Sequence, residues 1–206
     1  DSFSIGLNHL LHTIRRNVNL NILIFNNGIY ALTKGQNSYT NMNSNYSFNI
    51  ISLMLSAGAT FIARTIYNNP EHLRKILIYA NNLIGTSCIE IVQNCPIYNN
   101  INNKINRIIY LKNNYPLIYS NDKGIILKNN IPKIIKLNNN NYKRLWIHNV
   151  NDIYKSYILS NFYKINKYLP IPFGIFYIKN IKNKNNKNNK KYQKKLCKIF
   201  NKNFII

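Results

Sequence analysis

The feature that most constrains the fold of this chain is a short, mainly apolar run at residues 20–25, which ends at Asn26-Asn27-Gly28. It is too short for an ordinary helix and ends in a glycine-containing turn, so it predicts a buried strand followed by a tight turn. Two further short apolar runs, at residues 60–63 and 87–92, predict strands of the same kind. Strands that are apolar on both faces are typical of a parallel sheet covered by other elements.

Helical patterns alternate with these strands. Apolar residues recur at helical spacing near the start of the chain, and they are Leu7, Leu10, Leu11, Ile14 and Val18. A second helix is predicted over residues 49–56. A third begins at Asn69, which can cap it, with Pro70 at the first helical position and Glu71 at the positive end. Since parallel strands need crossover connections, the alternation predicts an α/β fold with a parallel sheet flanked by helices.

The composition divides the 206 residues into three stretches. Residues 1–95 hold the helix and strand patterns described above. Residues 96–180 alternate short apolar runs with Asn-rich turns, which predicts a smaller α+β extension with short strands. Residues 181–206 are a Lys/Asn-rich stretch of low complexity, with too little apolar content to order itself alone.

The net charge of +23, from 28 Lys and Arg against 5 Asp and Glu, would ordinarily indicate a nucleic-acid partner. Asn, Ile, Lys and Tyr dominate the chain, however, and their codons are rich in A and T. We therefore attribute the charge mainly to an A/T-biased genome and expect no nucleic-acid partner. A basic protein that binds nucleic acid through its Lys-rich C-terminal stretch remains the alternative.

Three cysteines at irregular spacing, Cys88, Cys95 and Cys197, do not form a disulfide framework. This pattern, with no apolar run long enough to span a bilayer and no signal peptide, predicts a cytoplasmic protein without a membrane partner. Cys88 lies inside the predicted strand 87–92, where we expect it to pack in the core. Because the sequence begins with Asp rather than Met, we expect a truncated or processed chain.

The loop that follows the first strand, residues 26–36, is the strongest candidate for chemistry. The Asn27 amide oxygen and the Ile29 carbonyl stand two residues apart in one turn, and oxygen ligands of this kind suit Mg²⁺. Lys34 and the Gly35 amide could then meet a diphosphate. An ordinary polar turn in an Asn-rich protein is the alternative.

Several motifs resemble the thiamine diphosphate region of 2-oxoacid:ferredoxin oxidoreductase β subunits. They are Ser4-Ile5-Gly6-Leu7-Asn8-His9-Leu10, the block at 23–36 that ends in Leu-Thr-Lys-Gly-Gln, Ala57-Gly58-Ala59-Thr60, and the segment at 85–95 that ends in Gln-Asn-Cys. The Leu-Thr-Lys-Gly-Gln form is closer to the 2-oxoglutarate type than to the pyruvate type. One departure is Ser38-Tyr39-Thr40, which stands where the family usually has Ser-Pro-Thr.

The resemblance implies a thiamine diphosphate-binding fold whose first strand is missing. Asp1 is similar to the last residue of the family's Gly-Asp-Gly-Asp motif, which puts the Asp that ligates Mg²⁺ upstream of this sequence. Asn27 and the Ile29 carbonyl match the other two protein ligands of the metal. The residues that match the loop around the cofactor diphosphate are Thr33, Gly35 and Gln36.

Cys95 matches the last cysteine ligand of a 4Fe–4S cluster, with the other three expected upstream; without the resemblance, it would be interpreted as a free thiol. The resemblance thus implies an oxidoreductase that decarboxylates 2-oxoglutarate to succinyl-CoA and passes electrons to ferredoxin. Its partners would be an α subunit, ferredoxin, the 2-oxoacid and coenzyme A. A pyruvate-type enzyme and a remnant that has lost its chemistry remain alternatives, and we expect this chain alone to be inactive.

Overall fold

The structure is a computed structural model that describes residues 3–41, 47–99, 107–120, 122–138 and 141–179. The helices are α1 (Leu7–Arg15), α2 (Ile50–Ala57), α3 (Pro70–Asn81), α4 (Ile153–Ser160) and α5 (Phe162–Ile165). The strands are β1 (Asn21–Asn26), β2 (Ile29–Tyr30), β3 (Gln36–Asn37), β4 (Phe61–Ile66), β5 (Ser87–Val92), β6 (Ile108–Leu111), β7 (Ile118–Ser120), β8 (Lys123–Lys128), β9 (Ile131–Lys136) and β10 (Ile171–Ile178).

The largest sheet of the described residues has the strand order β1-β5-β4-β10-β6. The strands β1, β5 and β4 are parallel, with Asn26 opposite Val92 and Ile66 also opposite Val92. The strand β10 runs antiparallel to β4, and β6 is parallel to β10. The predicted α/β fold with a predominantly parallel sheet is therefore confirmed, and two strands of opposite direction extend it on one side.

The strand β1 lies at the edge of this sheet, which corrects its prediction as a buried strand. Ile22 and Ile24 point to the core, whereas Leu23 and Phe25 are 40% and 60% exposed. The apolar run predicted the strand correctly but not its position, because an edge strand buries one face and leaves the other open unless a further chain covers it.

Asparagine side chains cap the first turns of α2 and α3, and the cap of α3 by Asn69 was predicted. The Asn69 side chain accepts a hydrogen bond from the His72 amide at 3.0 Å, and Pro70 occupies the first turn of α3. The Asn49 side chain caps α2 in the same way through the Ser52 amide at 3.1 Å. Each cap satisfies an amide that has no partner within its helix, which fixes where the helix starts.

Helices pack against both faces of the sheet. The larger core lies on one face and includes residues of α1, α2, α4 and α5, with Cys88 of β5 also buried there. On the other face, α3 packs Ile76, Tyr79 and Ala80 against β4 and β5. The expectation that Cys88 packs in the core is confirmed, and burial raises the pKa of its thiol to about 12.

A separate antiparallel sheet of β7, β8 and β9 follows β6 in the chain. The described helices are all too short or too polar to span a bilayer. The division of the chain at residue 95 stays a prediction, and β6 and β10, which lie beyond it, continue the sheet that begins before it. Residues 180–206, which include the whole Lys/Asn-rich stretch, lie outside the described residues.

Candidate functional site

The turn Asn26-Asn27-Gly28 leaves the carboxyl end of β1. Gly28 has φ +72°, a backbone conformation that glycine adopts readily and that lets the chain reverse direction here. The Asn26 side chain accepts a hydrogen bond from the Gly28 amide at 3.0 Å, and the Asn27 side chain accepts one from the Ile29 amide at 3.1 Å. Two successive side-chain hydrogen bonds thus hold the turn and bring Asn27 and Ile29 together.

The residues that follow form a short hairpin of β2 and β3. The Gly35 amide donates to the Tyr30 carbonyl at 3.0 Å, and the Thr33 hydroxyl donates to the same carbonyl at 3.3 Å. Gln36 pairs with Tyr30 across the hairpin. Thr33, Lys34 and Gln36 are exposed, although the Thr33 hydroxyl already donates to the Tyr30 carbonyl.

The turn that contains Cys95 packs against this loop. The Cys95 and Asn99 backbones exchange hydrogen bonds at 3.1 and 3.0 Å, and the Asn99 side-chain amide donates to the Asn27 carbonyl at 2.7 Å. A Cβ on Gly35 would lie 2.7 Å from the Tyr98 ring, so glycine is needed for this contact. The structure therefore brings Asn27, Gly35 and the Cys95 turn into one site at the edge where β1 and β5 end.

The backbone of this turn favours a thiolate at Cys95. Hydrogen bonding from the Tyr98 backbone lowers the pKa of the Cys95 thiol below its ordinary value, opposed by a smaller effect of burial, and Ile97 and Asn99 contribute less. Thiolate is the form in which cysteine binds iron. Among the described residues, however, no three His, Cys, Asp or Glu side chains cluster as metal ligands, and Asp1 lies outside the described residues.

A cleft of about 460 Å³ opens along β1 and the loop. Asn26, Asn27 and Ile29 line it, together with Ser4 and Gly6, which lie just before α1. The segment Ser38-Tyr39-Thr40 also lines the cleft. A cavity of this size, lined by both apolar and polar side chains, suits an organic cofactor.

Sequence reasoning missed the residues beneath the turn. Arg64 and Glu90 are 4% and 2% exposed and form an ion pair with 2.7 Å between Arg64 Nε and Glu90 Oε2. The Asn26 side-chain amide donates to the other Glu90 oxygen at 2.8 Å. The available clue was a charge within one apolar run and another directly after a second run, because charged residues in buried strands are usually paired.

Comparisons with known proteins show what this chain is similar to. Residues 1–91 match the family described as thiamine pyrophosphate enzyme, C-terminal TPP binding domain. The 2-oxoglutarate oxidoreductase subunit KorB of Mycobacterium tuberculosis is 44% identical over 110 residues, which are 48% of this chain and 30% of that protein. The chain is similar to 2-oxoacid:ferredoxin oxidoreductase β subunits. The resemblance drawn from the sequence is thereby confirmed.

Two further matches extend the comparison. The 2-oxoacid:ferredoxin oxidoreductase subunit beta of Saccharolobus solfataricus is 38% identical over 115 residues, covering 50% of this chain and 38% of that protein. The chain thus spans about a third of the length of these curated relatives. The solved 2-oxoglutarate:ferredoxin oxidoreductase from Magnetococcus marinus matches with a TM-score of 0.60 and 20% identity, over 97% of this chain and 58% of that one, and supports the fold.

The donor atoms of the turn fit a magnesium–diphosphate group. Asn27 Oδ1 and the Ile29 carbonyl are neutral oxygens in one turn, and Mg²⁺ takes such oxygens together with phosphate oxygens. Residues 33–36 of the hairpin follow in the same loop but are not among the residues that line the cleft, which provides space for the rest of an organic cofactor. The residues present are therefore compatible with thiamine diphosphate, the cofactor for which the matched family is named.

Proposed function

We propose that this chain forms part of the β subunit of a thiamine diphosphate- and iron–sulfur-dependent 2-oxoacid:ferredoxin oxidoreductase. The proposed reaction is the oxidative decarboxylation of 2-oxoglutarate to succinyl-CoA, with electrons passed to ferredoxin and an α subunit as partner. The observation that carries the proposal is the hydrogen-bonded turn of Asn27 and Ile29, which lines the cleft and packs against the Cys95 turn.

In this proposal the turn holds the cofactor's charged end. Asn27 Oδ1 and the Ile29 carbonyl bind Mg²⁺, and the hairpin residues Thr33, Gly35 and Gln36 bind the diphosphate. Thiamine diphosphate supplies the nucleophilic carbon and the electron sink for the decarboxylation. The chain's own contribution is to position the cofactor. Ligands in a fixed geometry restrict its translational and rotational freedom before the reaction begins.

Cys95 is proposed to ligate a 4Fe–4S cluster. Its turn supplies backbone N–H groups that stabilise a thiolate, and it contacts the loop proposed to hold the cofactor. A 4Fe–4S cluster needs thiolate ligands, usually four, and Cys88 is buried within the core, so the remaining ligands would come from elsewhere.

The substrate type is proposed from the similar proteins. The relatives in Mycobacterium tuberculosis and Archaeoglobus fulgidus are named for 2-oxoglutarate, and the Leu-Thr-Lys-Gly-Gln form of the hairpin agrees with that type. A pyruvate-type enzyme would share the cofactor and differ in the residues that contact the substrate.

The test is to produce this chain together with the α subunit and any further β-subunit polypeptide encoded beside it. The complex should reduce ferredoxin in the presence of 2-oxoglutarate and coenzyme A, and more slowly with pyruvate. Asn27→Ala should raise the Mg²⁺ concentration for half-maximal activity by about tenfold or more, whereas Asn81→Ala, on the exposed end of α3, should not.

A second variant tests the cluster. Cys95→Ser should remove or alter the electron paramagnetic resonance signal of the reduced cluster, because a serine oxygen replaces a thiolate. A complex that reduces ferredoxin with no 2-oxoacid, or in which Cys95→Ser leaves that signal unchanged, would contradict the proposal.

A further inference from the structure

A line of buried polar side chains connects the centre of the sheet to the candidate site. Arg64 on β4 donates from Nε to Glu90 Oε2 at 2.7 Å, and Asn26 donates from Nδ2 to Glu90 Oε1 at 2.8 Å. All three side chains are at most 8% exposed. The register explains the contact, because Glu90 on β5 stands opposite Arg64 of β4 on one side and opposite β1 on the other.

The chemistry of these groups fixes the direction of every hydrogen bond in the line. A guanidinium only donates, and an ionised carboxylate only accepts. Glu90 therefore receives a hydrogen bond from each neighbour, and Asn26 must turn its amide nitrogen toward it. The Asn26 oxygen then faces the turn, where it accepts from the Gly28 amide at 3.0 Å and from the Thr40 hydroxyl at 2.7 Å.

We propose that Glu90 is a positioning residue that sets the orientation of the Asn26 amide and, through it, the conformation of the turn that presents Asn27 and Ile29. The inference rests on the proposed function only in naming what that turn binds. The line of hydrogen bonds begins at Arg64, which also donates to the Pro172 carbonyl and lies 5.4 Å from the Phe176 ring centroid. It ends at Gly28, whose amide is held inward while the next two residues face the cleft.

If Arg64 and Glu90 only filled space in the core, this arrangement of hydrogen bonds would not be required. A buried ion pair stabilises a fold weakly because desolvation of the two charges offsets their attraction. Here the second carboxylate oxygen is used to orient an amide whose other end holds a turn and a loop, through Thr40. The ion pair thus fixes which way the Asn26 side-chain amide points, which packing of apolar side chains could not do.

Glu90→Gln is the informative substitution, because it keeps the size of the side chain and changes one acceptor into a donor. The introduced glutamine must offer its oxygen to Arg64 and its NH₂ group to Asn26. Asn26 must then reverse its amide, so that its own NH₂ group faces the Gly28 amide and loses that hydrogen bond. The effect of the substitution is therefore expected at Gly28, two strands away from Arg64.

The same reasoning predicts a rescue. In Asn26→Asp combined with Glu90→Gln, one oxygen of the introduced aspartate accepts from the NH₂ group of the introduced glutamine, and the other accepts from Gly28 and Thr40. The number of buried charges is the same as in the native chain. Asn26→Asp alone puts two carboxylates at one buried site and should destabilise the fold more than either Glu90→Gln or the double variant.

Hydrogen exchange of the 206-residue chain measures the turn without any cofactor. Glu90→Gln should raise the exchange rate of the Gly28 amide by about tenfold, the loss expected for one buried hydrogen bond, and the double variant should restore protection. Glu71→Gln, on the exposed face of α3, is the matched control and should change neither. Unchanged exchange at Gly28 in a folded Glu90→Gln chain, or a double variant that exchanges as fast as Glu90→Gln, would overturn the proposal.

Folding failure is also informative in this design. If both single variants fail to fold and the double variant folds, the compensation supports coupling between the hydrogen-bond directions of Glu90 and Asn26. If the double variant also fails to fold, the proposal is wrong. In the assembled complex, Glu90→Gln should raise the half-saturating Mg²⁺ concentration with little change in kcat at saturating Mg²⁺, and a change in kcat alone would count against positioning of the metal turn. Because exchange at Gly28 needs no cofactor, its outcome stands even if the proposed function fails.

Discussion

His72 and His148 are two titratable side chains that are buried away from the candidate turn. His72 Nδ1 lies 2.8 Å from the Thr65 hydroxyl, and His148 Nε2 lies 2.8 Å from the Ile175 carbonyl. Burial lowers the pKa of each imidazole from 6.5 to about 4, with Lys75 adding to the effect at His72 and the Ile175 carbonyl and Asp152 opposing it at His148. Both side chains are therefore neutral in the folded chain at pH 5.

This predicts that the chain loses stability as the pH falls below about 6.5. The unfolded chain then binds a proton at each histidine that the folded chain does not bind until about pH 4. The free energy of unfolding should fall by up to about 1 kcal/mol per pH unit for each histidine in this window. Urea unfolding at several pH values between 7.5 and 4.5 measures the slope.

A variant isolates one of the two contributions. In His148→Gln the side chain still donates to the Ile175 carbonyl and no longer titrates, so the slope between pH 6.5 and 5 should become shallower by about 1 kcal/mol per pH unit. An unchanged slope would mean that His148 is protonated in the folded chain.

At the scale of single residues, the sequence indicates a candidate turn where local chemistry alone determines it. Asn27, Ile29 and Gly35 could be selected because the amino-acid sequence itself indicates a turn that offers amide and carbonyl oxygens. Asn26 could not be assigned a role, since its role depends on Glu90, which is 64 residues away in the chain.

At the scale of elements, the connection between α3 and β5 offers a test of close packing. Gly85 has φ +114°, and a Cβ there would lie 2.5 Å from the Thr60 hydroxyl oxygen and 2.6 Å from the Asn17 side-chain oxygen. Those two oxygens belong to a hydrogen-bonded cluster that joins the ends of β4 and β5 to the segment before β1. An added methyl group would have to push this cluster apart.

Gly85→Ala should therefore destabilise the chain by about 2–4 kcal/mol. Gly58→Ala is the matched control, because Gly58 also has positive φ, at +83°, but an added Cβ there would meet nothing within 4 Å. It should cost about 1 kcal/mol, from backbone strain alone. Urea denaturation of both variants measures the difference, and equal losses would show that the contact with Thr60 is not restrictive.

Elements whose ends carry local sequence signals could be predicted. The positions of strands that depend on pairing with distant parts of the chain could not. The helix α3 has a capping Asn69 and Pro70 in its first turn, and β5 was predicted at its observed bounds. The strand β1 was predicted, but its position at the sheet edge depends on which strands pair with it. Likewise, β10 joins β4 in antiparallel direction through pairings that no local pattern encodes.

At the scale of the whole molecule, the site stands at the open side of the sheet. Among the described residues, no strand pairs with the outer edge of β1, and Leu23 and Phe25 on that strand remain 40% and 60% exposed. The cleft runs along this same strand. One wall of the candidate site is thus formed by an edge that other polypeptide is free to complete.

Adding thiamine diphosphate and Mg²⁺ to the 206-residue chain alone should therefore leave its Tm unchanged. Mg²⁺ requires near-octahedral oxygen coordination, and the turn offers Asn27 Oδ1, which already accepts from the Ile29 amide, and one carbonyl. Occupancy at a hundred times the dissociation constant would stabilise the chain by about 2.7 kcal/mol and raise Tm by several degrees. Thermal unfolding with and without the two additives is the measurement, with the assembled complex as the positive control. A rise of about 3 °C or more in the isolated chain would show that the turn and hairpin bind the cofactor without help from a partner.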